Sequence, residues 1–118
     1  MKAIVAVNNK LIWNCPEDLK LFRKLTTEKV NGRKPRLLAG FNTFVNLPIL
    51  EDREVILDKR NGFILDVDWV IGGAKTYEKY KDYINEWHVS YIDNNSEGDT
   101  YFNKELLKNK LVHEYYFR

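Results

Sequence analysis

Asp18 is the residue whose position first asks for chemistry. If residues 16–29 wind as a helix, Asp18, Leu21, Phe22 and Leu25 fall at i, i+3, i+4 and i+7 and share one stripe. Glu17, Lys20, Arg23, Lys24 and Glu28 lie mostly outside it. A carboxylate set into an apolar stripe is costly unless something pairs with it. Desolvation raises such a group above its reference pKa of about 3.9. A raised carboxyl in an apolar pocket can bind a protonated heterocycle or assist proton transfer near neutral pH. An acid in a first helical turn can equally complement the helix dipole and cap free N–H groups. On the helix alone both readings stay open.

Gly72-Gly73 is the second candidate, following Val70-Ile71 and preceding a helix. Two glycines let a phosphate or ring approach the backbone, and a helix N-terminus favours an anion. A tight strand-to-helix turn explains the same pair. His88 and His113 have no second ligand at a metal spacing, so both are expected to be structural or surface residues and no metal is expected. Arg33-Lys34-Pro35-Arg36 reads as a solvated loop, with an anion site as the lesser alternative, and Trp13, Trp69 and Trp87 as core or rim aromatics.

The elements that must position these residues alternate in type. Ala3–Val7 reads as a buried strand and Pro16 to about Lys29 as a helix with proline and acids in its first turn. Leu37-Leu38-Ala39 is a short strand ending at Gly40. Asn42–Leu47 is a short helix capped by Asn42 and stopped by Pro48. Val55-Ile56-Leu57 and Phe63-Ile64-Leu65 are the third and fourth strands, and Trp69-Val70-Ile71 the next. A helix from Ala74 to about Tyr83 follows, with Tyr77, Tyr80 and Ile84 on one stripe. Trp87–Ile92, which alternates only loosely, and Val112–Phe117 complete the strands. The pattern predicts an α/β fold: one domain over residues 1–118, with a twisted, mostly parallel sheet flanked by helices. Ligands in such sheets sit beyond the carboxyl ends of the strands, where Asn8, Gly40, Asp58, Gly72 and Gly73 fall.

Composition bounds the function. The 118 residues are 44% hydrophobic and 14% aromatic, which excludes a disordered tail and supports one modest core. Nineteen Lys and Arg against 17 acids give a net charge of +2, less lopsided than a dedicated nucleic-acid binder and suited to small anionic ligands. No apolar run approaches the ~18 residues a bilayer span needs, so no membrane partner is expected. The apolar start is too short for a signal peptide and lacks a small-residue cleavage site. The single cysteine, Cys15, excludes a disulfide framework and points to a reducing, cytoplasmic compartment.

Four stretches, in order, resemble dihydrofolate reductase. Trp13-Asn14-Cys15-Pro16-Glu17-Asp18-Leu19, continuing to Phe22 and Thr26, is similar to W-x-x-P-x-D-L-x-x-F-x-x-x-T. Gly40-Phe41-Asn42-Thr43-Phe44 is similar to G-R-x-T-[WF], and Val70-Ile71-Gly72-Gly73 with Tyr77 to V-I-G-G-x-x-x-Y. Ile92-Asp93 with Glu97-Gly98-Asp99-Thr100-Tyr101-Phe102 is similar to I-D-x-x-x-E-G-D-T-x-F. The resemblance implies hydride transfer from NADPH to C6 of 7,8-dihydrofolate with protonation at N5. The partners implied are dihydrofolate and diaminopyrimidine-type antifolate inhibitors.

The resemblance assigns roles residue by residue. Asp18 matches the carboxylate that holds the pterin, with Ser90 as its supporting hydroxyl and Trp13 closing the pocket. Ile4, Val5, Leu19, Phe22, Leu47 and Ile71 match the substrate's surroundings, and Arg53 the arginine that holds its glutamate carboxylate. Ala6, Gly40, Asn42, Thr43, Gly72, Gly73, Ala74 and Tyr77 match the cofactor side.

This chain also departs from the family. It is several dozen residues shorter than usual members. The loop before Trp13 is cut to about Asn8–Ile12, which is expected to exclude water poorly. The adenosine-binding half is reduced between Leu57 and Trp69. Phe41 replaces the arginine that meets the cofactor's 2′-phosphate, leaving Lys59, Arg60 and Lys75 as substitutes. The terminal hairpin is cut to one strand, so the chain is expected as a monomer or as a homodimer through an exposed sheet edge, unless Lys104–Asn109 covers that edge. Two other functions compete: a weak or inactive protein of this fold with a structural or binding role, such as a phage component, and a related reductase acting on another pterin or a riboflavin precursor.

Overall fold

The computed structural model describes residues 1–7, 16–92 and 102–117, and Trp13 lies outside them. The strands are β1 (Lys2–Val7), β2 (Arg36–Ala39), β3 (Glu54–Leu57), β4 (Trp69–Gly72), β5 (Glu86–Ile92) and β6 (Leu111–Phe117). The helices are α1 (Pro16–Thr27), α2 (Phe41–Asn46) and α3 (Ala74–Tyr80), with one 3-10 turn at Lys104–Leu107. The strands form one sheet in the order β3-β2-β4-β1-β5-β6, and every neighbouring pair is parallel. This is the α/β architecture the sequence pattern predicts.

A parallel sheet is stable when both faces are covered, and the residues divide accordingly. On one face Phe22 of α1 packs with Ile4, Leu37 and Trp69. On the other, Tyr77 and Tyr80 of α3, with Leu106 of the 3-10 turn, pack on Ala3, Leu38, Val70, Trp87 and Val89. Asp18, Phe22 and Thr26 are the buried row of α1. The stripe is therefore centred one position away from the sequence expectation: Leu21 is only half-buried, whereas Thr26 is fully enclosed and donates its hydroxyl to the Phe22 carbonyl at 2.7 Å.

Several expected elements need correction. Phe63–Leu65 is not a strand. The Ile64 N–H donates instead to Tyr80 Oη at 2.8 Å, and the Phe63 ring stands edge-on to Tyr80. Gly40, not Asn42, is the N-cap of α2, and Asn42 sits inside the helix, its carbonyl accepting from the Asn46 amide. Helix α3 stops at Tyr80, where a turn begins, and α1 stops at Thr27. The residues expected to cover the sheet edge carry Leu106 into the core, and β6 is the outermost strand on that side. No helix among the described residues is long and apolar enough to cross a membrane.

Tyr80 ties the 58–64 segment to α3, because its hydroxyl also donates to Asp58 Oδ1 at 2.7 Å. Tyr80→Phe leaves the Ile64 N–H and one Asp58 oxygen without this partner. The expected cost is about 1–3 kcal/mol, read as a lower urea midpoint with an unchanged denaturant slope.

Candidate active site

The site is assembled at the carboxyl ends of the central strands. β1 supplies Ile4, Val5 and Ala6, β4 supplies Ile71, α1 supplies Asp18 and Phe22, and α3 supplies Tyr77; together they enclose a cavity of about 40 Å³. Asp18 is 2% exposed. Its place in the first turn of α1 puts it against the sheet instead of in solvent, so it lies on the apolar face while remaining in the turn where an acid complements the helix dipole. Ser90 comes from β5, where it is the register partner of Ala6, and is also buried.

Burial pushes the Asp18 carboxyl above its ordinary pKa, and the neighbouring Ser90 hydroxyl pulls it partly back. Neither Asp18 Oδ2 nor Ser90 Oγ completes a hydrogen bond among the described residues. A buried carboxyl oxygen without a partner costs free energy in the folded chain. A ligand carrying N–H donors into the cavity would recover that cost.

The diglycine bend lies beside this cavity. Gly72 has φ +139°, a conformation closed to most side chains, and a Cβ there would come within 3.0 Å of Thr43 Oγ1. Gly40 donates its N–H to the Gly72 carbonyl at 2.8 Å, and a Cβ on Gly40 would collide with Thr76 Oγ1. Tyr77, buried with its pKa pushed up by desolvation, donates to the Ile4 carbonyl at 2.6 Å and so locks α3 to β1 across the site.

Two further cavities flank the first. One, of about 650 Å³, is lined by Leu19, Phe22, Leu47 and Leu50 with Arg23 and Arg53. Arg53 is held by Thr26 Oγ1 at 3.2 Å and the Glu51 carbonyl at 2.9 Å, with its guanidinium 5.7 Å from the centre of the Phe22 ring. Burial and Arg23 lower its pKa, against Asp52 and Glu51 acting the other way, and it forms no salt bridge among the described residues. The groove is thus an apolar wall ending in guanidinium groups, a match for an aryl body with a terminal carboxylate.

The other cavity, of about 410 Å³, brings Lys59, Arg60 and Lys75 around Phe41 and Gly40. Asp58 lines it too but is taken by Lys79 at 2.9 Å. Lys59, Arg60 and Lys75 form no salt bridge among the described residues, so the cavity offers cationic groups to an anion.

Among the expected site residues, the three cavities take in Ile4, Val5, Ala6, Asp18, Phe22, Ile71 and Tyr77, then Leu19, Leu47 and Arg53, then Gly40, Lys59, Arg60 and Lys75, whereas Ser90, Thr43, Gly72 and Gly73 line none of them. Asn42 and Ala74 are exposed and line none of the three cavities. Thr26, Arg23 and Thr76 were missed. Thr26 was legible as i+4 from Phe22 and i+8 from Asp18; Arg23 and Thr76 are placed only by tertiary packing. His88 is buried and His113 half-buried, and Glu86 Oε2 lies 2.8 Å from His88 Nε2 and 3.3 Å from His113 Nε2. Glu86 and His88 are two residues apart on β5, and His113 is brought to them by the pairing of β6 with β5, which sequence spacing does not show.

No protein-family profile matches the chain. Individual proteins do. Dihydrofolate reductase of Buchnera aphidicola subsp. Schizaphis graminum is 29% identical over 119 residues, covering 84% of this chain and 71% of that protein. The protein of the same name from Buchnera aphidicola subsp. Acyrthosiphon pisum is 28% identical over the same shares. That from Staphylococcus aureus (strain MSSA476) is 25% identical over 86% of this chain and 72% of the other. In sequence the chain is dihydrofolate reductase-like along most of its length.

The raised carboxyl makes stability depend on pH. In the unfolded chain Asp18 ionises near pH 4, whereas the folded chain holds its proton to higher pH. The stability this group contributes is present below the unfolded pKa and is lost as pH rises through the folded one. Asp18→Asn is therefore expected to unfold at a higher urea concentration than the parent at pH 7, with the difference closing as pH falls to about 4.

Proposed function

We propose that residues 1–118 form one dihydrofolate reductase-like domain that reduces 7,8-dihydrofolate to 5,6,7,8-tetrahydrofolate with NADPH, in the cytoplasm. The observation that carries this reading is the buried Asp18 carboxyl, with an unpartnered oxygen, facing a cavity walled by Ile4, Val5, Ala6, Phe22 and Ile71. Likeness to three proteins named dihydrofolate reductase supports it.

The division of labour follows from the side chains. Asp18 takes N–H donors from the amidine edge of the pterin and promotes protonation at N5. Ser90 steadies the carboxylate from β5. Phe22 packs on the pterin, and Leu19, Leu47 and Phe22 enclose the benzoyl ring. Arg53 holds the glutamate carboxylate at the far end of the groove, where its bidentate geometry is suited to the task. A bound reduced nicotinamide supplies the hydride that C6 receives. The residues fit that group by charge: Lys59, Arg60 and Lys75 line one cavity and form no salt bridge among the described residues, as suits a dinucleotide bearing a further phosphate. Gly40, Gly72 and Thr43 shape the backbone between this cationic cavity and Asp18. Diaminopyrimidine antifolates would compete by offering Asp18 a more basic amidine edge.

A spectrophotometric assay with NADPH and NADH, each with and without dihydrofolate, tests the reading. Oxidation that requires dihydrofolate and prefers NADPH is expected; no dihydrofolate-dependent turnover would overturn it. Asp18→Asn is expected to lower kcat by roughly 10²–10⁴ at neutral pH. The loss should shrink at low pH, where the substrate arrives protonated. Removing Lys59 and Lys75 as alanines is expected to raise KM for NADPH by about tenfold per lost phosphate contact, with a smaller change for NADH.

A further inference from the structure

We propose that Glu86, His88 and His113 form a binding site for a divalent transition-metal ion of the zinc type. Strand pairing builds the cluster. Glu86 and His88 are two residues apart on β5 and so share a face, and His113 on β6 is the register partner of His88. One ligand atom from each residue lies within 4.8 Å of the other two. The Glu86 Oε2 separation of 3.3 Å from His113 Nε2 matches the spacing of tetrahedral ligands, and that of 2.8 Å from His88 Nε2 would open by about 0.5 Å on binding. With bonds near 2.0–2.1 Å, such ligands stand about 3.3 Å apart. Two imidazoles and one carboxylate are a nitrogen–oxygen set suited to Zn²⁺, with one position left for water.

The surroundings support a built site over a chance meeting. His88 Nδ1 lies 2.9 Å from Tyr115 Oη, the kind of outer contact that fixes which ring nitrogen faces an ion. The two imidazoles stack at 4.3 Å and 14°, so both present Nε2 to the same carboxylate oxygen. His88 is largely enclosed, its side chain 8% exposed, while that of His113 is 42% exposed; one ligand anchors and another opens the entry path. Glu86 and His88 also line a cavity of about 590 Å³, roomy enough for the remaining ligand. The nearby competing cation, Lys2, has its ammonium 5.3 Å from the centre of the Trp69 ring. Glu86 lies four residues before Ser90 along β5, so the ion would sit toward the opposite strand ends from Asp18. Its role would be to clamp the edge strand β6 to β5, independent of the reductase reading.

The test uses the full chain, stripped with a chelator and desalted. Co²⁺ is titrated by its visible absorption, and Zn²⁺ by calorimetry and by the shift in Tm. One ion per chain, absorption typical of low-coordinate Co²⁺ and a Tm that rises with Zn²⁺ are expected. His113→Ala and Glu86→Gln, each shown to be folded by circular dichroism, should weaken Zn²⁺ binding by at least about tenfold. Cys15→Ser should keep the ion. Absence of binding by the parent chain would overturn the proposal, leaving a hydrogen-bonded histidine cluster. So would parent-like affinity in the folded variants, or loss of the ion in Cys15→Ser.

Discussion

The structure is organised around one buried acid, the Asp18 carboxyl, only partly offset by the Ser90 hydroxyl. A helix that packs on a parallel sheet normally presents apolar side chains, and α1 does so with Phe22 while placing an acid one turn earlier on the same row. The acid is closed in by β1 and β4, strands with almost no polar side chains to offer it. Its raised pKa records the resulting desolvation. A residue that served stability alone would not be set here, because an amide or an apolar side chain would avoid the cost. The cost makes sense as preorganisation: the charge is fixed before the ligand arrives, in a place where water does not dilute it.

The neighbouring features extend that constraint. Phe22 is a wall shared by the Asp18 cavity and the groove of Arg23 and Arg53, so one aromatic ring sets the distance between an acid and a guanidinium. Thr26, one turn further along α1, holds that guanidinium by its hydroxyl. A single helix row, Asp18–Phe22–Thr26, therefore places an acid and a guanidinium at the two ends of adjoining cavities. On the other side Tyr77 ties α3 to the Ile4 carbonyl, while Gly40 and Gly72 bring β2 and β4 together by backbone contact. Helix α3 cannot slide along the sheet without breaking a buried bond.

Much of this was legible in the sequence. The strand–helix alternation, the parallel sheet, the apolar-face acid and the diglycine bend all follow from local pattern. What was not legible was decided by tertiary partners. Phe63–Leu65 has the composition of a strand, but the Ile64 N–H is claimed by Tyr80, which lies distant in sequence. Asn42 is a good cap by residue type, yet Gly40 takes that place because its backbone also bonds to Gly72. Thr26 is legible on the row of Asp18 and Phe22, but its bond to Arg53 appears only in the folded chain. The cationic cavity is half legible: Lys59, Arg60 and Lys75 stand out as substitutes for an arginine at position 41, and only the fold brings them to one cavity.

Strand β5 shows how one period-two pattern serves both faces. Trp87 and Val89 enter the core beneath α3, while Glu86, His88 and Ser90 line the opposite face. The alternation reads as loose in sequence because His88 and Ser90 are also buried, and a sheet covered on both sides blurs the contrast between inward and outward residues. The polar row is not interchangeable with an apolar one: Ser90 is placed beside Asp18, and His88 reaches Glu86 and the last strand. β6 has no fully buried residue, so little apolar burial holds it. Its attachment rests on the backbone ladder to β5 and on side-chain contacts such as the His88–His113 and Tyr91–Tyr116 stacks. The strand that supports the buried carboxyl is thus also the one that must retain the sheet edge. A weakening of β6 would reach Ser90 through its register partner Tyr115 before it reached any other part of the site.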